Sequence, residues 1–324
     1  MTTKVIPLFL KPVLQDKMWG GTELRRYHYQ LNSDHVGEAW IASTYGNDLS
    51  VVENEPYDGQ TLKETWKKHP ELFGGHPAHV AFPLLVKILD AKENLSIQVH
   101  PSDENAQKYF NERNGKTECW YILDAKLDSQ VYYGHSATSK DEIRDAIKHH
   151  ELDQILETQT VQPGEMIYVP AGTLHSLGAG IVALEVEQNS DNTLRFYDFD
   201  RVNQKTGKKR TLQIDDAIKV TNTPNVLPAK DQTKRVPDPD NPDRLRLLKS
   251  KYFNVYQIAV ENDTKIKDVT TYSVNVVVDG DGTLVVNGTA YPVKKGDTYI
   301  LPVQVKDYEL KGHVVIVQAI ANQN

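Results

Sequence analysis

Short runs of β-branched and aromatic residues, separated by turn residues, recur along most of the chain. Each run is too short for a core helix, and Gly, Pro, Asn and Asp cluster between the runs, which is typical of strands joined by tight turns. The pattern therefore predicts a mainly β fold of the sandwich or barrel type. The clearest runs are 84–89, 95–100, 118–123, 130–133, 166–169, 181–186, 272–278, 283–286 and 298–301.

Three segments interrupt this pattern with helical character. Ser102 and Ser139 stand where helix N-caps are expected, ahead of segments that reach residues 114 and about 156. A third candidate covers residues 211–220. We expect these few helices to lie outside the sheets.

The segment 223–243 contains five prolines among charged residues. Because proline cannot donate a backbone hydrogen bond, we predict a linker without regular strand pairing. It would divide the chain into a catalytic, metal-binding unit at 1–222 and a smaller unit at 244–324. Turn residues are spaced similarly in both parts, which predicts two related β units. The matching strands of the second part have no clustered His and Glu, so we expect it to be degenerate and free of metal.

Charge and cysteine content exclude several classes of protein. The formal net charge is −7, which does not favour a non-specific nucleic-acid binder or a binder of anionic membranes. The single cysteine, Cys119, cannot form an internal disulfide, and no stretch approaches the roughly 20 apolar residues that span a bilayer. We expect a cytoplasmic protein without nucleic-acid or membrane partners. Composition leaves the oligomeric state open.

Four residues with metal-binding side chains lie on or beside predicted strands. Gln98 and His100 are two residues apart, so they share one face roughly 6.6 Å apart along a strand. Lys116 and Glu118 share a face for the same reason, and His175 follows a later strand and turn. Two nitrogens and two oxygens suit Zn²⁺ and leave room for water or substrate. From spacing alone, ordinary strand residues explain the pattern equally well.

Glu185 and Glu187 alternate onto one face of the predicted strand near residue 185. Two carboxylates directed into a β unit are costly unless they pair with cations or take part in chemistry. For Glu187, pairing with a nearby Lys or Arg is at least as good an interpretation.

The run 205–210 is basic and contains a glycine. In an acidic protein such a run is more typical of a solvated hairpin turn than of a binding patch.

Several motifs resemble the cupin superfamily and, within it, the short bacterial subgroup of the type I mannose-6-phosphate isomerases. The motifs are residues 19–21, 37–40, 82–89, 95–101, 116–118, 163–175 and 190–195. The resemblance covers about residues 5–201 closely, and the remainder only as a degenerate cupin. Longer members of the family have an additional helical domain before the last metal-binding histidine. Gly115 stands where they have a histidine, so no proton-transfer role can rest on position 115.

This resemblance implies two cupin-like jelly-roll barrels with peripheral helices and one zinc ion per chain. The implied zinc ligands are Gln98, His100, Glu118 and His175. The implied reaction is the interconversion of mannose 6-phosphate and fructose 6-phosphate through a cis-enediol.

The resemblance also implies roles for residues around the metal. Glu185 matches a pocket glutamate and would act as an acid–base or orienting carboxylate. Arg195 would hold a substrate oxygen or the enediolate, and Lys116 would be the other cation beside the metal.

Three further residues match family positions that bind the substrate phosphate: Ser96, Lys87 and Arg201. Lys87 could equally be a structural ion-pair partner. A local cluster of cations would attract an anionic substrate despite the negative net charge.

Two other functions stay open. A cupin oxygenase would need a redox-active ion with two His and one carboxylate, which Gln98 and the surrounding cations disfavour. A non-catalytic sugar-binding cupin could lack the proton-transfer groups, which the presence of Glu185 and Arg195 disfavours.

Overall fold

Three antiparallel β-sheets are the main regular structure of the protein in the computed structural model, which describes residues 5–77, 79–203, 206–226, 228–229, 232–267 and 269–322. The mainly β prediction is therefore confirmed. Among the described residues, no helix is long and apolar enough to cross a lipid bilayer.

The strands are numbered in chain order. They are β1 Leu8–Lys11, β2 Val13–Gly21, β3 Val36–Ala42, β4 Val51–Val52, β5 Leu84–Ala91, β6 Ile97–Val99, β7 Glu118–Ala125, β8 Gln130–His135, β9 Leu156–Thr160, β10 Met166–Val169, β11 His175–Ser176, β12 Ile181–Gln188, β13 Leu194–Tyr197, β14 Val236–Asp238, β15 Asn241–Lys249, β16 Phe253–Val260, β17 Asp263–Ile266, β18 Ser273–Val286, β19 Thr289–Lys294, β20 Thr298–Leu301 and β21 Tyr308–Ala321.

The α-helices are short and lie between the strands. They are α1 Leu62–Lys68, α2 Asp103–Asn105, α3 Lys140–Lys148, α4 Leu152–Ile155 and α5 Ile214–Val220. A π-helical turn, Ala106–Phe110, continues α2, and 3-10 helices cover Glu23–Tyr27 and Pro70–Phe73.

Two of the predicted helix starts are confirmed. The hydroxyls of Ser102 and Ser139 accept hydrogen bonds from the third residue of each helix. The predicted lengths are wrong, because residues in left-handed conformation end the segments early. Asn111 has φ 54° after the π-helical turn, and His150 has φ 59° between α3 and α4.

A six-stranded sheet and a five-stranded sheet face each other. Their strand orders are β10-β7-β12-β5-β3-β2 and β13-β6-β11-β8-β9. Apolar residues from both sheets, among them Trp120, Val131 and Ile167, form a buried core between them. On the far side of the five-stranded sheet, Ile143 of α3 and Ile218 of α5 pack against the sheet, as expected for peripheral helices.

The third sheet has ten strands and contains most of the C-terminal part. The runs 272–278 and 283–286, predicted as two strands, form the single strand β18. A β-bulge between Val277 and Asp279 accommodates the turn-like residues within the continuous ladder to β21. Gly280 is required there, since it has φ 73° and an added Cβ would lie 2.0 Å from the carbonyl oxygen of His313.

The predicted linker is partly paired. Pro237 of β14 lies opposite Leu245 of β15, so the prediction of no regular pairing is wrong at this end of the segment. β14 is the last strand of its sheet, where a missing N–H faces away from the ladder and is tolerated. Residues 227, 230 and 231 of the segment lie outside the described residues, as do 1–4, 78, 204–205, 268 and 323–324 of the two proposed units.

The N-terminal strand joins the C-terminal sheet. In β1, Leu8 lies opposite Ile300 of β20, and Leu10 lies opposite Val52 of β4. The strand is thus shared across the proposed boundary, and the division at 223–243 stays a proposal.

Candidate metal centre and active site

Two histidines and a glutamate converge inside the first pair of sheets. The register places His175 of β11 opposite Gln98 of β6, and Glu118 begins β7 in the facing sheet. Nε2 of His100 lies 3.2 Å from one carboxylate oxygen of Glu118, and Nε2 of His175 lies 3.3 Å from the other. All three side chains are buried. The structure therefore brings these three predicted residues together.

Backbone carbonyls fix the orientation of both imidazole rings. Nδ1 of His100 lies 2.9 Å from the carbonyl oxygen of Asn192, and Nδ1 of His175 lies 2.8 Å from that of Thr173. Because a carbonyl oxygen can only accept, each Nδ1 must be the donor. In the neutral rings each Nε2 therefore carries a lone pair directed at the carboxylate of Glu118.

The protonation states favour a cation at this point. Burial, followed by the charge of Lys116, lowers the pKa of His100 to about 3, and burial also lowers the pKa of His175. Burial alone would raise the pKa of Glu118, but Lys116 and the two histidines together outweigh burial and hold that pKa well below its usual value. Two neutral imidazoles and a carboxylate thus direct lone pairs at one another, an arrangement that a divalent cation would stabilise.

The buried polar atoms of this cluster agree with that interpretation. Nε2 of His100 and both carboxylate oxygens of Glu118 have no hydrogen-bond partner within the described part of the chain. Buried polar groups usually have partners. Donor atoms from His100, Glu118 and His175 all lie within 4.8 Å of one another, so the residues fit a metal ion.

Gln98 reaches the cluster with its amide nitrogen. Its Nε2 lies 3.3 Å from Nε2 of His175, and its Oε1 accepts a hydrogen bond of 3.1 Å from the Ser96 hydroxyl. A half-turn of the amide would exchange the two atoms, directing the oxygen at the cluster. The hydroxyl of Ser96 could then accept from the amide nitrogen.

A polar cavity lies beside the cluster. Six of the residues that the sequence singled out line it: Ser96, Lys87, Gln98, Lys116, Glu185 and Arg195. The cavity therefore brings together the proposed ligand Gln98 and most of the proposed substrate-binding side chains.

A buried network of lysines and carboxylates surrounds one side of the cavity. Lys87 lies 2.8 Å from Glu187, 3.3 Å from Asp191 and 3.5 Å from Glu185. Lys116 lies 2.7 Å from Glu187 and 3.3 Å from Glu118. The ion-pair interpretation of Lys87 is thus the one that its surroundings favour.

Glu185 is held by contacts on both carboxylate oxygens. The indole N–H of Trp120, on the neighbouring strand β7, donates a hydrogen bond of 2.9 Å to Oε2. Oε1 faces Lys87. Because Glu185 also lines the cavity, its carboxylate is fixed at a surface that a ligand can reach.

Of the two arginines that the sequence singled out, Arg195 is among the described residues that line the cavity and Arg201 is not. The buried Nε of Arg195 has no hydrogen-bond partner among the described residues. The guanidinium of Arg201 donates to the backbone oxygen of Asn94 and to Asp198. Arg210 lines the cavity and donates to both oxygens of Asp198, at 2.5 and 2.7 Å.

Two residues that line the cavity, Arg210 and Lys17, were not singled out as site residues from the sequence. Arg210 ends the basic run 205–210, and the interpretation of the whole run as a solvated turn is wrong for this residue. It is only partly exposed and pairs with buried Asp198, although residues 206–209 are exposed as expected and 205 lies outside the described residues. Lys17, on β2, pairs with Glu38 at 3.1 Å. Lys17 lies two residues before the motif at 19–21, and this position is the sequence signal that could have identified it as a cavity residue.

Comparison with known proteins gives matches at both ends of the chain. A family model for the phosphomannose isomerase type I catalytic domain matches residues 8–119, and one for the mannose-6-phosphate isomerase cupin domain matches residues 243–320. Mannose-6-phosphate isomerase ManA of Bacillus subtilis is 40% identical over 313 residues, which cover 97% of this chain and 98% of that protein.

Two further comparisons agree. The probable mannose-6-phosphate isomerase GmuF of Bacillus subtilis is 40% identical over 307 residues, which cover 94% of this chain and 96% of that protein. A crystal structure of the mannose 6-phosphate isomerase from Bacillus subtilis superposes with a TM-score of 0.92 at 37% identity, covering 98% of this chain and 100% of that one. The cupin match and this superposition confirm the predicted fold class.

Proposed function

The chain belongs to the type I phosphomannose isomerases, and from that premise we propose that it is a zinc-dependent mannose-6-phosphate isomerase. It would interconvert mannose 6-phosphate and fructose 6-phosphate through a cis-enediol. The observation that carries this proposal is the meeting of His100, Glu118 and His175 beside a cavity lined by Glu185 and Arg195.

The spacing of the donor atoms supports zinc as the metal. Two atoms bound about 2.05 Å from a tetrahedral Zn²⁺ lie about 3.3 Å apart. Nε2 of His100 lies 3.2 Å from one carboxylate oxygen of Glu118 and Nε2 of His175 lies 3.3 Å from the other, so each nitrogen–oxygen pair has a spacing compatible with a shared ion. We propose His100, Glu118 and His175 as ligands and Gln98 as the fourth, after rotation of its amide. When bound, zinc supplies a Lewis acid that stabilises negative charge developing on the sugar oxygens.

The charge balance of the buried network also supports a divalent cation. Its cations are three lysines, and its anions are five carboxylates, which leaves two negative charges in excess. The lysines are Lys17, Lys87 and Lys116, and the carboxylates are Glu38, Glu118, Glu185, Glu187 and Asp191. Such a network gains stability from a bound cation.

Glu185 is our proposal for the group that moves the proton between C1 and C2. The reaction needs a base close to both carbons, and Glu185 is a carboxylate on the cavity wall that Trp120 holds in place. Lys116, also on that wall, would stabilise negative charge on the sugar as the proton leaves.

The arginines would bind the two ends of the substrate. Arg195 neighbours Gln98 in the β13–β6 ladder, so we propose that it holds a substrate oxygen near the metal. For the phosphate we propose Arg210 together with Ser96. Arg201 would act through Asp198, which it shares with Arg210.

The cavity is narrow in this conformation. Its volume of about 60 Å³ holds a few water molecules rather than a hexose phosphate. Substrate entry therefore requires side chains at the wall to move, and Lys17 and Arg210 are long, flexible candidates.

We further propose a cytoplasmic location, because Cys119 is a free thiol in the chain. We also propose that the chain forms two units, divided at residues 223–243.

An isomerase assay on metal-loaded protein tests this function. Formation of fructose 6-phosphate would be followed with mannose 6-phosphate and with its epimer glucose 6-phosphate. We expect turnover of mannose 6-phosphate that a chelator abolishes and added zinc restores. Oxygen uptake by the iron-loaded protein without isomerisation would indicate an oxygenase instead, and sugar binding without turnover would indicate a non-catalytic cupin.

A further inference from the structure

Glu187 contacts two lysines of the cavity wall, and we propose that it is a positioning residue that holds Lys116, and with it Lys87, in the geometry required for turnover. The inference rests on the proposed isomerase function. Glu187 is not one of the described residues that line the cavity, whereas both lysines are. Its side chain is fully buried, so it would act through the lysines rather than on the substrate.

The sheet fixes the position of Glu187. It lies on β12, the strand between β5 and β7, and the register places it opposite Leu85 on one side and Glu118 on the other. Its carboxylate can therefore reach cations from both neighbours. Oε1 lies 2.8 Å from the ammonium of Lys87, and Oε2 lies 2.7 Å from that of Lys116.

Lys116 depends on this contact more than on its other ion pair. Its second partner, Glu118, is farther away at 3.3 Å, and a bound zinc ion would withdraw negative charge from that carboxylate. A lysine side chain has several rotatable bonds, so an ammonium with one weakened partner would sample other rotamers. Glu187 keeps the ammonium at the cavity wall and away from the place of the metal.

Lys87 has two other carboxylates as ion-pair partners. Glu185 and Asp191 lie 3.5 and 3.3 Å from its ammonium. Loss of Glu187 would therefore disturb Lys116 first. This difference makes the role testable, because the effect of Glu187 should depend on the presence of Lys116.

The test compares Glu187→Gln, which keeps the size of the side chain but removes its charge, with Lys116→Met and the double variant. Asp238→Asn is the matched control, since Asp238 is also buried and pairs with Arg244, but in the C-terminal sheet. Each zinc-loaded protein would be measured for metal content, melting temperature, kcat and KM with mannose 6-phosphate.

We expect Glu187→Gln to retain one zinc ion and to lower kcat about tenfold or more, with KM changed less than threefold. In the Lys116→Met background the same substitution should change kcat less than twofold, because coupled residues are not additive. Asp238→Asn should keep the wild-type kcat.

An unchanged kcat in Glu187→Gln would overturn the inference. So would an equal fold-loss with and without Lys116, or a loss of zinc or of folded protein that accounts for the lost activity. Absence of turnover in the wild-type, zinc-loaded protein would instead overturn the proposed function, and the inference with it.

Discussion

At the scale of single residues, the site depends on how neighbouring backbone orients each side chain. The carbonyl oxygens of Asn192 and Thr173 set the tautomers of the two histidines, which directs both Nε2 atoms at Glu118. Strand alternation could predict that Gln98 and His100 share a face. It could not predict these carbonyls, because they belong to loops whose path depends on tertiary contacts.

The arginines illustrate the same limit. The family resemblance pointed to Arg201 as a cavity residue, whereas Arg210 lines the wall. Both guanidiniums bind Asp198, from positions three and twelve residues further along the chain. Which of them faces the cavity depends on how the loop after β13 folds, and no periodic pattern in the sequence encodes that.

Arg210→Ala should weaken substrate binding with little effect on the chemical step. Its guanidinium is one we propose for the phosphate, which does not react, so removal should raise KM about tenfold or more and lower kcat less than threefold. Steady-state kinetics with mannose 6-phosphate measure both constants. Lys209→Ala is the control, because Lys209 is exposed and pairs with exposed Asp200. An equal fall in kcat would contradict the assignment.

Asp90 should make stability depend on pH. It accepts a hydrogen bond of 2.7 Å from the backbone N–H of Glu23, and burial raises its pKa from 3.8 to about 6. A raised pKa in the folded state means that this group stabilises the protein below about pH 4, and that the contribution is lost as pH rises through about 6.

The Asp90→Asn variant isolates that contribution. The free energy of unfolding of the wild type minus that of the variant should fall between pH 4 and 6 and then level off. Urea unfolding at a series of pH values measures the difference, in which other titrating groups cancel. A difference that stays constant over this range would contradict the expected pKa.

At the scale of elements, the sequence predicted strands best where a run of β-branched and aromatic residues is bounded by turn residues. β10 and β20 match the predicted runs at both ends. β1 was missed, because its four residues lie between Pro7 and Pro12 and include no β-branched residue. α1 was also missed, although the side chains of Thr61 and Glu64 form a capping box at its start.

Leu8→Ala should test the contribution of β1. Leu8 is fully buried in the large hydrophobic core, so truncation should lower the free energy of unfolding by about 2–5 kcal/mol. Lys11→Ala, at an exposed position of the same strand, should change it by less than about 0.5 kcal/mol. Denaturant unfolding measures both. Similar values for the two variants would show that β1 contributes little to the core.

At the scale of the whole molecule, the two proposed units share one core. Val86 and Leu184 of the six-stranded sheet belong to the same buried cluster as Leu247, Val276 and Val317 of the ten-stranded sheet. The sequence could indicate two related β units from repeated turn spacing. It could not indicate that their outer faces pack together. A strand that is buried on both faces is apolar at successive positions, so its sequence does not alternate between polar and apolar residues and does not show which face is covered.

A shared core predicts cooperative unfolding. We expect one calorimetric transition for metal-free protein, with equal calorimetric and van't Hoff enthalpies. Substitutions in either unit, such as Leu8→Ala, should shift that single transition. Two separate transitions, of which only one responds to Leu8→Ala, would indicate independent units and contradict the shared core.

The most direct measurement is zinc content together with isomerase activity in three proteins: wild type, His175→Ala and Arg195→Ala. The wild type should bind one zinc ion per chain and convert mannose 6-phosphate to fructose 6-phosphate. His175→Ala should lose metal and activity together, whereas Arg195→Ala should keep the metal and lose most of its turnover. Full activity in metal-free wild-type protein, or in His175→Ala, would contradict the account.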